Sequence, residues 1–312
     1  MELQFIKCHG SGNDFVMVDA VARRPEGLDP AGLARKTCDR RGPLGADGLL
    51  LAVRDGSGYA MRMYNPDGSE AEMCGNGIRC VARLVRRYVN ADRFPLRSGG
   101  KAYAVAREAD IASGVPTYSV RIPVAAWSPD FAMFGEGETW LRRPIPELDP
   151  ELHFTALSLG NPHIVARVGK IDTDRLQMLG RKVADLKNVF PNGVNISMYE
   201  VAGPRELLTA TFERGAGLTL SCGTAMTACT TAAVITGDIE EHRPVRVRNR
   251  GGMVVCTCDT EPAPATELKG NATFEFAGTL RDDGEAIVVE TVKRFDAEIE
   301  AYDLFAQRER MM

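Results

Sequence analysis

The chain has no surplus of basic charge. Its 38 Lys and Arg are outnumbered by 42 Asp and Glu, giving a formal net charge of −4 and no electropositive footprint for nucleic acid. It also lacks any apolar run approaching the ~20 residues of a membrane span. The N-terminus enters strand-like Leu3-Gln4-Phe5-Ile6 with no apolar leader core, so a cytoplasmic protein is expected, without a membrane or nucleic-acid partner. Eight cysteines in 312 residues are too few for a disulfide scaffold, so most are expected to be reduced. Cys256 and Cys258 alternate along one strand without partnering histidines, so no metal site is expected. What remains is an ordinary globular composition, 44% hydrophobic and 26% charged, with length enough for two domains and a core in each.

What is present is a thiol motif used twice. Met73-Cys74-Gly75-Asn76-Gly77-Ile78-Arg79-Cys80 sets a cysteine ahead of a Gly-rich turn that opens an apolar-periodic run. Leu220-Ser221-Cys222-Gly223-Thr224-Ala225-Met226 repeats the arrangement. Each thiol is expected at a helix N-terminus, where unpartnered backbone N–H groups and the macrodipole favour a thiolate and seat a carboxylate.

The two copies keep one register. Cys222 follows Cys74 by 148 residues, and the same offset relates Asn161 to Asn13, Gly193 to Gly45 and Glu213 to Asn65. Four landmarks in one order without a gap indicate a duplicated domain rather than a solenoid.

In chain order, strands are expected at Leu3 to Ile6, Phe15 to Val18, Leu49 to Val53, Met61 to Tyr64, Ala102 to Arg107 and Tyr118 to Ile122, with helices over Pro30 to Arg40 and Ile78 to Val89. Asn65-Pro66-Asp67-Gly68 is a strong turn signal. Between Pro123 and Pro150 five prolines, including Pro129, and both tryptophans loosen the pattern, and the crossing between halves is expected there. The second half repeats the grammar: Thr155 to Val168, a helix near Thr173 to Leu186, strands Val194 to Val201 and Leu207 to Phe212, and the Cys222 helix over Met226 to Ile235. Strands Val245 to Arg248 and Met253 to Cys258 follow, then Thr273 to Gly278 returning to the first domain. Apolar residues at helical spacing make Asp296 to Glu309 an amphipathic helix, docked on its own domain or on a partner subunit. The expected division is residues 1–124 with the returning segment 270–290, residues 125–269, and a C-terminal extension 291–312.

Inverting an amino-acid α-carbon needs a base on one face and an acid on the other. Two thiols, one ionised and one protonated, can fill both roles and exchange them with direction. Backbone N–H groups at Gly75-Asn76 and Gly223-Thr224 could hold the α-carboxylate and the charge that develops on it.

These residues resemble the diaminopimelate epimerase family, through His9-Gly10-Ser11-Gly12-Asn13-Asp14-Phe15, Asn65-Pro66-Asp67-Gly68-Ser69, the Cys74 motif, Gly160-Asn161-Pro162-His163 and Glu213-Arg214-Gly215-Ala216-Gly217, over residues 3 to 280. The resemblance implies an α+β fold of two pseudo-symmetric domains, each a mixed β-sheet wrapped around a central helix, without a cofactor. It implies Cys74 and Cys222 as the two bases, with His163 and Glu213 near them. A polar cage of Asn13, Asn65, Asn161, Asn195 and Arg214 would surround a diamino dicarboxylic acid, and a homodimer would be the assembly.

The chain departs from the family pattern at Leu218, where Glu is usual, and at Ala225, where Gly is usual, followed by the bulkier Met226. These changes keep open a racemase of another amino acid on the same scaffold. From a different class, a thiol redox sensor would use Cys74 and Cys222 as a disulfide pair. Residue by residue, Cys38, Cys80 and Cys229 read as small buried hydrophobes. His163 could be a structural imidazole, Arg214 an ion-pair residue, and Asn13 and Asn161 turn residues with positive φ. Glycines 75, 77 and 223 suit the backbone turn under either reading.

Overall fold

The computed structural model describes residues 2–22, 25–127, 131, 139–284 and 286–309, and Pro129 of the expected crossing lies outside them. The chain divides into two compact units, Met1–Val120 with Lys269–Arg308, and Arg121–Leu268 with Glu309–Met312.

The elements run β1 (Glu2–Gly10), β2 (Asn13–Ala20), α1 (Pro30–Thr37), β3 (Gly48–Asp55), β4 (Gly58–Tyr64), β5 (Glu70–Ala71), α2 (Gly75–Val85), β6 (Arg93–Ser98), β7 (Lys101–Glu108) and β8 (Thr117–Pro123). They continue with β9 (Arg143–Ile145), β10 (Asp149–Ser158), β11 (Pro162–Arg167), α3 (Thr173–Asp185), β12 (Asn195–Gly203), β13 (Glu206–Glu213), β14 (Gly217–Leu218), α4 (Gly223–Ile235), β15 (Val245–Asn249) and β16 (Gly252–Asp259). The chain ends with β17 (Ala265–Asn271), β18 (Thr273–Asp282), β19 (Ile287–Arg294) and α5 (Asp296–Glu309). This is an α+β fold.

Each unit has the same internal wiring. In the first, β1 and β2 are antiparallel, β2 and β3 parallel, β3 and β4 antiparallel, β4 and β6 parallel, and β6 and β7 antiparallel. In the second, β10 to β11, β11 to β12, β12 to β13, β13 to β15 and β15 to β16 repeat that alternation step for step. The short β5 and β14 pair with β4 and β13 in turn.

A mixed sheet of this kind leaves one concave apolar face, and a helix fills it. α2 packs against β1, β2, β3, β4, β6 and β7, and α4 against β10, β11, β12, β13, β15 and β16. Both helices are buried almost all round, which explains why α4 carries Ala, Thr, Met, Cys and Val on every side rather than an apolar stripe. Buried Thr227, Thr230 and Thr231 bond back to carbonyls four residues earlier, each at 2.9 Å, so these hydroxyls are not stranded. α3 approaches β13 closely at Gly180, where a Cβ would stand 2.1 Å from the Phe212 ring.

α2 ends at Val85, four residues before the sequence pattern suggests, because the N–H groups of Arg87 and Tyr88 tighten onto Leu84 O and Val85 O. The strand β18 is longer than expected and pairs with β1, while β19 continues the sheet beyond it. α5 lies against the first unit. Its Glu298 forms an ion pair with Arg83 and accepts from Phe274 N–H at 2.6 Å, and its Tyr302 ring meets His9 at 4.4 Å.

Candidate active site

Both motif cysteines occupy the N-cap of a buried helix. Cys74 has φ −138° and ψ 111°, Cys222 φ −123° and ψ 111°, and each carbonyl accepts the first helical bond, from Ile78 N–H at 2.9 Å and from Met226 N–H at 3.0 Å. The extended N-cap followed by Gly lets the chain turn sharply; at α2 this brings the Gly77 N–H onto the thiol, whereas the Cys222 side chain makes no such cap bond.

Around Cys74, half-buried, Sγ accepts from Gly77 N–H at 3.3 Å and lies 3.9 Å from Asn13 Oδ1. Asn76 Nδ2 donates to Asn13 Oδ1 at 3.2 Å, and Asn13 Nδ2 donates to Asp47 Oδ2 at 2.8 Å. Asn13 is carried by a tight turn at Ser11 (φ 54°) and Gly12 (φ 78°) and does not itself have positive φ, so the turn-residue reading of Asn13 fails. The same holds for Asn161, whose predecessor Gly160 takes φ 102°. Asn65 closes its own turn, its Nδ2 donating to Ser69 Oγ at 3.0 Å.

Around Cys222, buried, Sγ lies 3.5 Å from Thr224 Oγ1. Asn161 Nδ2 donates to Thr224 Oγ1 at 3.2 Å, the counterpart of the Asn76–Asn13 bond, and Asn161 Oδ1 faces His163 Nε2 at 3.0 Å. Burial, then the charge and hydrogen bond of Glu213, push the Cys222 thiol well above the usual range. Glu213 is held by Thr219 Oγ1 at 2.6 Å. Asn195 accepts from Arg214 N–H at 2.9 Å, and the exposed Arg214 side chain donates to Asn192 O at 2.7 Å. Burial, reinforced by the Arg214 charge, lowers the His163 pKa to about 3, so the ring is neutral. The Cys222 thiol, raised by burial and by Glu213, keeps its proton at neutral pH.

The departures at Leu218, Ala225 and Met226 are absorbed by packing. Leu218 lies against the apolar core of the second unit, and Ala225 and Met226 are buried in α4, where Met226 Sδ takes bonds from Asn249 Nδ2 at 3.1 Å and Ser221 Oγ at 3.7 Å. The other cysteines, including Cys38, Cys80 and Cys229, are buried and form no disulfide, and no group of three or more His, Cys, Asp or Glu among the described residues could hold a metal ion. Among the described residues no helix is long and apolar enough to cross a membrane.

Sequence reasoning missed Asp47, which orients Asn13, and Thr219, which orients Glu213. Asp47 was findable: it stands one repeat before Asn195.

The class is that of the epimerases and racemases. A hydroxyproline epimerase from Agrobacterium vitis shares the fold at a TM-score of 0.58 and 15% identity, covering 95% of this chain and 92% of that one. A PhzF-family phenazine biosynthesis protein from Bacillus anthracis does so at a TM-score of 0.60 and 14% identity, covering 90% and 100%. Within that class the chain belongs to the diaminopimelate epimerase family, whose model matches residues 5–109 and 155–275. The diaminopimelate epimerase of Clostridium acetobutylicum is 36% identical over 318 aligned residues, 99% of this chain and 96% of that protein. That of Lactiplantibacillus plantarum is 37% identical over 299, covering 90% of each.

Proposed function

We propose that the chain interconverts LL- and meso-diaminopimelate by two-base proton transfer between Cys74 and Cys222. The observation that carries this reading is that each unit caps its buried helix with one of these thiols and bonds an Asn to the residue two places on, Asn13 to Asn76 and Asn161 to Thr224.

In the forward sense the Cys74 thiolate takes the α-hydrogen as a proton. The C–H electron pair passes onto the α-carboxylate, held by N–H groups at Gly75-Asn76 and Gly223-Thr224. The Cys222 thiol then delivers its proton to the opposite face, leaving a thiolate there; reversal exchanges the roles. Neutral His163 and the carboxylate of Glu213 serve proton movement at the two sulfurs. Asn13, Asn65, Asn161, Asn195 and Arg214 hold the substrate's ammonium groups and distal carboxylate, for which the guanidinium is suited to a two-point contact. The working form is a cytoplasmic homodimer.

The polar set favours a diamino dicarboxylic acid over a small apolar amino acid, which would leave Arg214 and several amides unmatched. The core-directed Leu218 supports the same choice. The test is a proton NMR time course in D2O with reduced protein and LL-diaminopimelate. Loss of the α-proton signal together with formation of the meso isomer supports the reading. Exchange confined to another amino acid in a panel would replace the substrate, and undiminished turnover in Cys74→Ser or Cys222→Ser would remove the two-base mechanism.

A further inference from the structure

The largest wholly buried side chain among the described residues is that of Arg79, one turn into α2 from Cys74. Burying a guanidinium is costly unless its donors are used. Here Nη1 donates to Gly75 O at 2.8 Å, Nη2 to Asn76 Oδ1 at 3.1 Å and to Ser11 Oγ at 3.4 Å, and Nε to Asn271 O at 3.2 Å. Room for it comes from Gly10, where a Cβ would stand 2.9 Å from Arg79 Nη2 and 3.1 Å from Asn76 Cα.

These bonds give the first half-site a fixed polarity. A guanidinium only donates and an ionised carboxylate only accepts. Arg79 therefore requires Asn76 to turn its oxygen inward and its NH2 toward Asn13 Oδ1. Asp47, at the other end, requires Asn13 to turn its NH2 away from the thiol. The amide pair between them has one setting: reversing Asn76 sets donor against donor where it is buried, and reversing Asn13 sets oxygen against the part-exposed Asp47 carboxylate. Asn13 Oδ1 is thus the atom presented beside Cys74 Sγ.

The second unit lacks both anchors. The repeat counterpart of Arg79 is Thr227, whose Oγ1 satisfies the equivalent carbonyl, Gly223 O, at 2.9 Å but reaches no side chain of the half-site. Asn161 is held by Thr224 Oγ1 and His163 Nε2, a hydroxyl and an imidazole that can each donate or accept. Its amide can reverse if the His163 tautomer reverses with it.

We propose that Arg79 is a positioning residue that locks the Asn76–Asn13 amide pair, making the Cys74 half-site fixed in polarity while the Cys222 half-site is adjustable. The role in turnover rests on the proposed two-thiol reaction; the lock itself does not. Asn13 Oδ1 then accepts from a substrate ammonium beside Cys74 without prior reorganisation, whereas Asn161 can meet either a donor or an acceptor.

The test is asparagine-selective 15N labelling of the whole protein, reading the side-chain amide signals of Asn13, Asn76 and Asn161 without substrate, alongside kcat and KM for diaminopimelate. In Arg79→Met the Asn13 and Asn76 amide protons are expected to lose their dispersion and exchange with water at least about tenfold faster, with Asn161 unchanged. Arg79→Lys keeps the charge but spans fewer acceptors, so it gives the same pattern in weaker form and carries the test if the Met variant does not fold. The loss in kcat/KM, about tenfold for one hydrogen bond to a charged group, should not deepen when Asn76→Ala is added. Unchanged Asn13 and Asn76 signals, or losses that multiply in the double variant, would overturn the lock. A lock seen by NMR in a protein inert toward diaminopimelate would leave this inference standing and remove the proposed substrate instead.

Discussion

His163 Nε2 lies 3.0 Å from Asn161 Oδ1 in the second unit, while its Nδ1 has no hydrogen-bond partner among the described residues. The ring is wholly buried, and its pKa is lowered to about 3 by that burial and by Arg214.

This gives a signed pH dependence. The folded ring stays neutral down to about pH 3, whereas the unfolded chain takes up the proton below its ordinary value of 6.5. Between those values the unfolded state binds more protons, so stability is full above the upper one and falls as pH drops, by about 1.4 kcal/mol per pH unit. Urea midpoints at neutral pH and near pH 5 should show a loss in the wild type that is smaller by about 2 kcal/mol in His163→Asn. Equal losses in the two proteins would refute the assignment.

Glu213 raises the Cys222 thiol by its charge and hydrogen bond. Glu213→Gln should therefore lower that thiol's pKa and speed its alkylation by iodoacetamide near pH 8, read by mass spectrometry of the Cys222 peptide. Turnover should fall about 10²-fold or more, because the carboxylate that serves proton movement at that sulfur is gone. Slower alkylation of Cys222 would show that Glu213 acts otherwise.

Gly180→Ala sets two effects against each other. Helix propensity favours Ala by about 1 kcal/mol, but the new Cβ would meet the Phe212 ring at 2.1 Å. Overpacking of this kind costs about 1–3 kcal/mol, so the clash should win and the melting temperature should fall by several degrees. A rise would mean that α3 can shift freely away from β13.

The Tyr302 ring braces His9, whose Nδ1 faces Gly12 N–H at 3.4 Å, so α5 supports the turn that carries Asn13. Tyr302→Ala should raise KM more than it lowers kcat and speed amide exchange at Ser11 to Asn13, leaving amides of the second unit unaffected. Unaltered exchange at that turn would show that α5 does not support it.

Several elements were legible because their signals are local. Pro30 and the Asp29 cap open α1, and Cys-Gly starts α2 and α4 at the same offset in both halves. β6 was not legible, since Pro95 argues against a strand; it forms one because its neighbour β7 supplies antiparallel pairing while β4 touches it only at Ala60–Arg97. β19 was missed for a related reason: Val288 and Val292 are exposed, and the strand exists through its pairing with β18.

The sequence by itself determined the duplication, the helix-capping thiols and most of the polar residues near them, because each is a matter of residue type at a fixed spacing along the chain. It named Asn13, Asn76, Asn161 and Thr224 but could not say which atoms face which. That was decided by tertiary structure: Arg79 and Asp47, 32 residues apart in sequence, meet the two ends of one amide pair. Burial likewise decided that His163 is neutral and that the Cys222 thiol keeps its proton. The physical reason is that spacing fixes which residues are near one another along a helix or strand. Hydrogen-bond direction and desolvation depend on what the rest of the fold places around them.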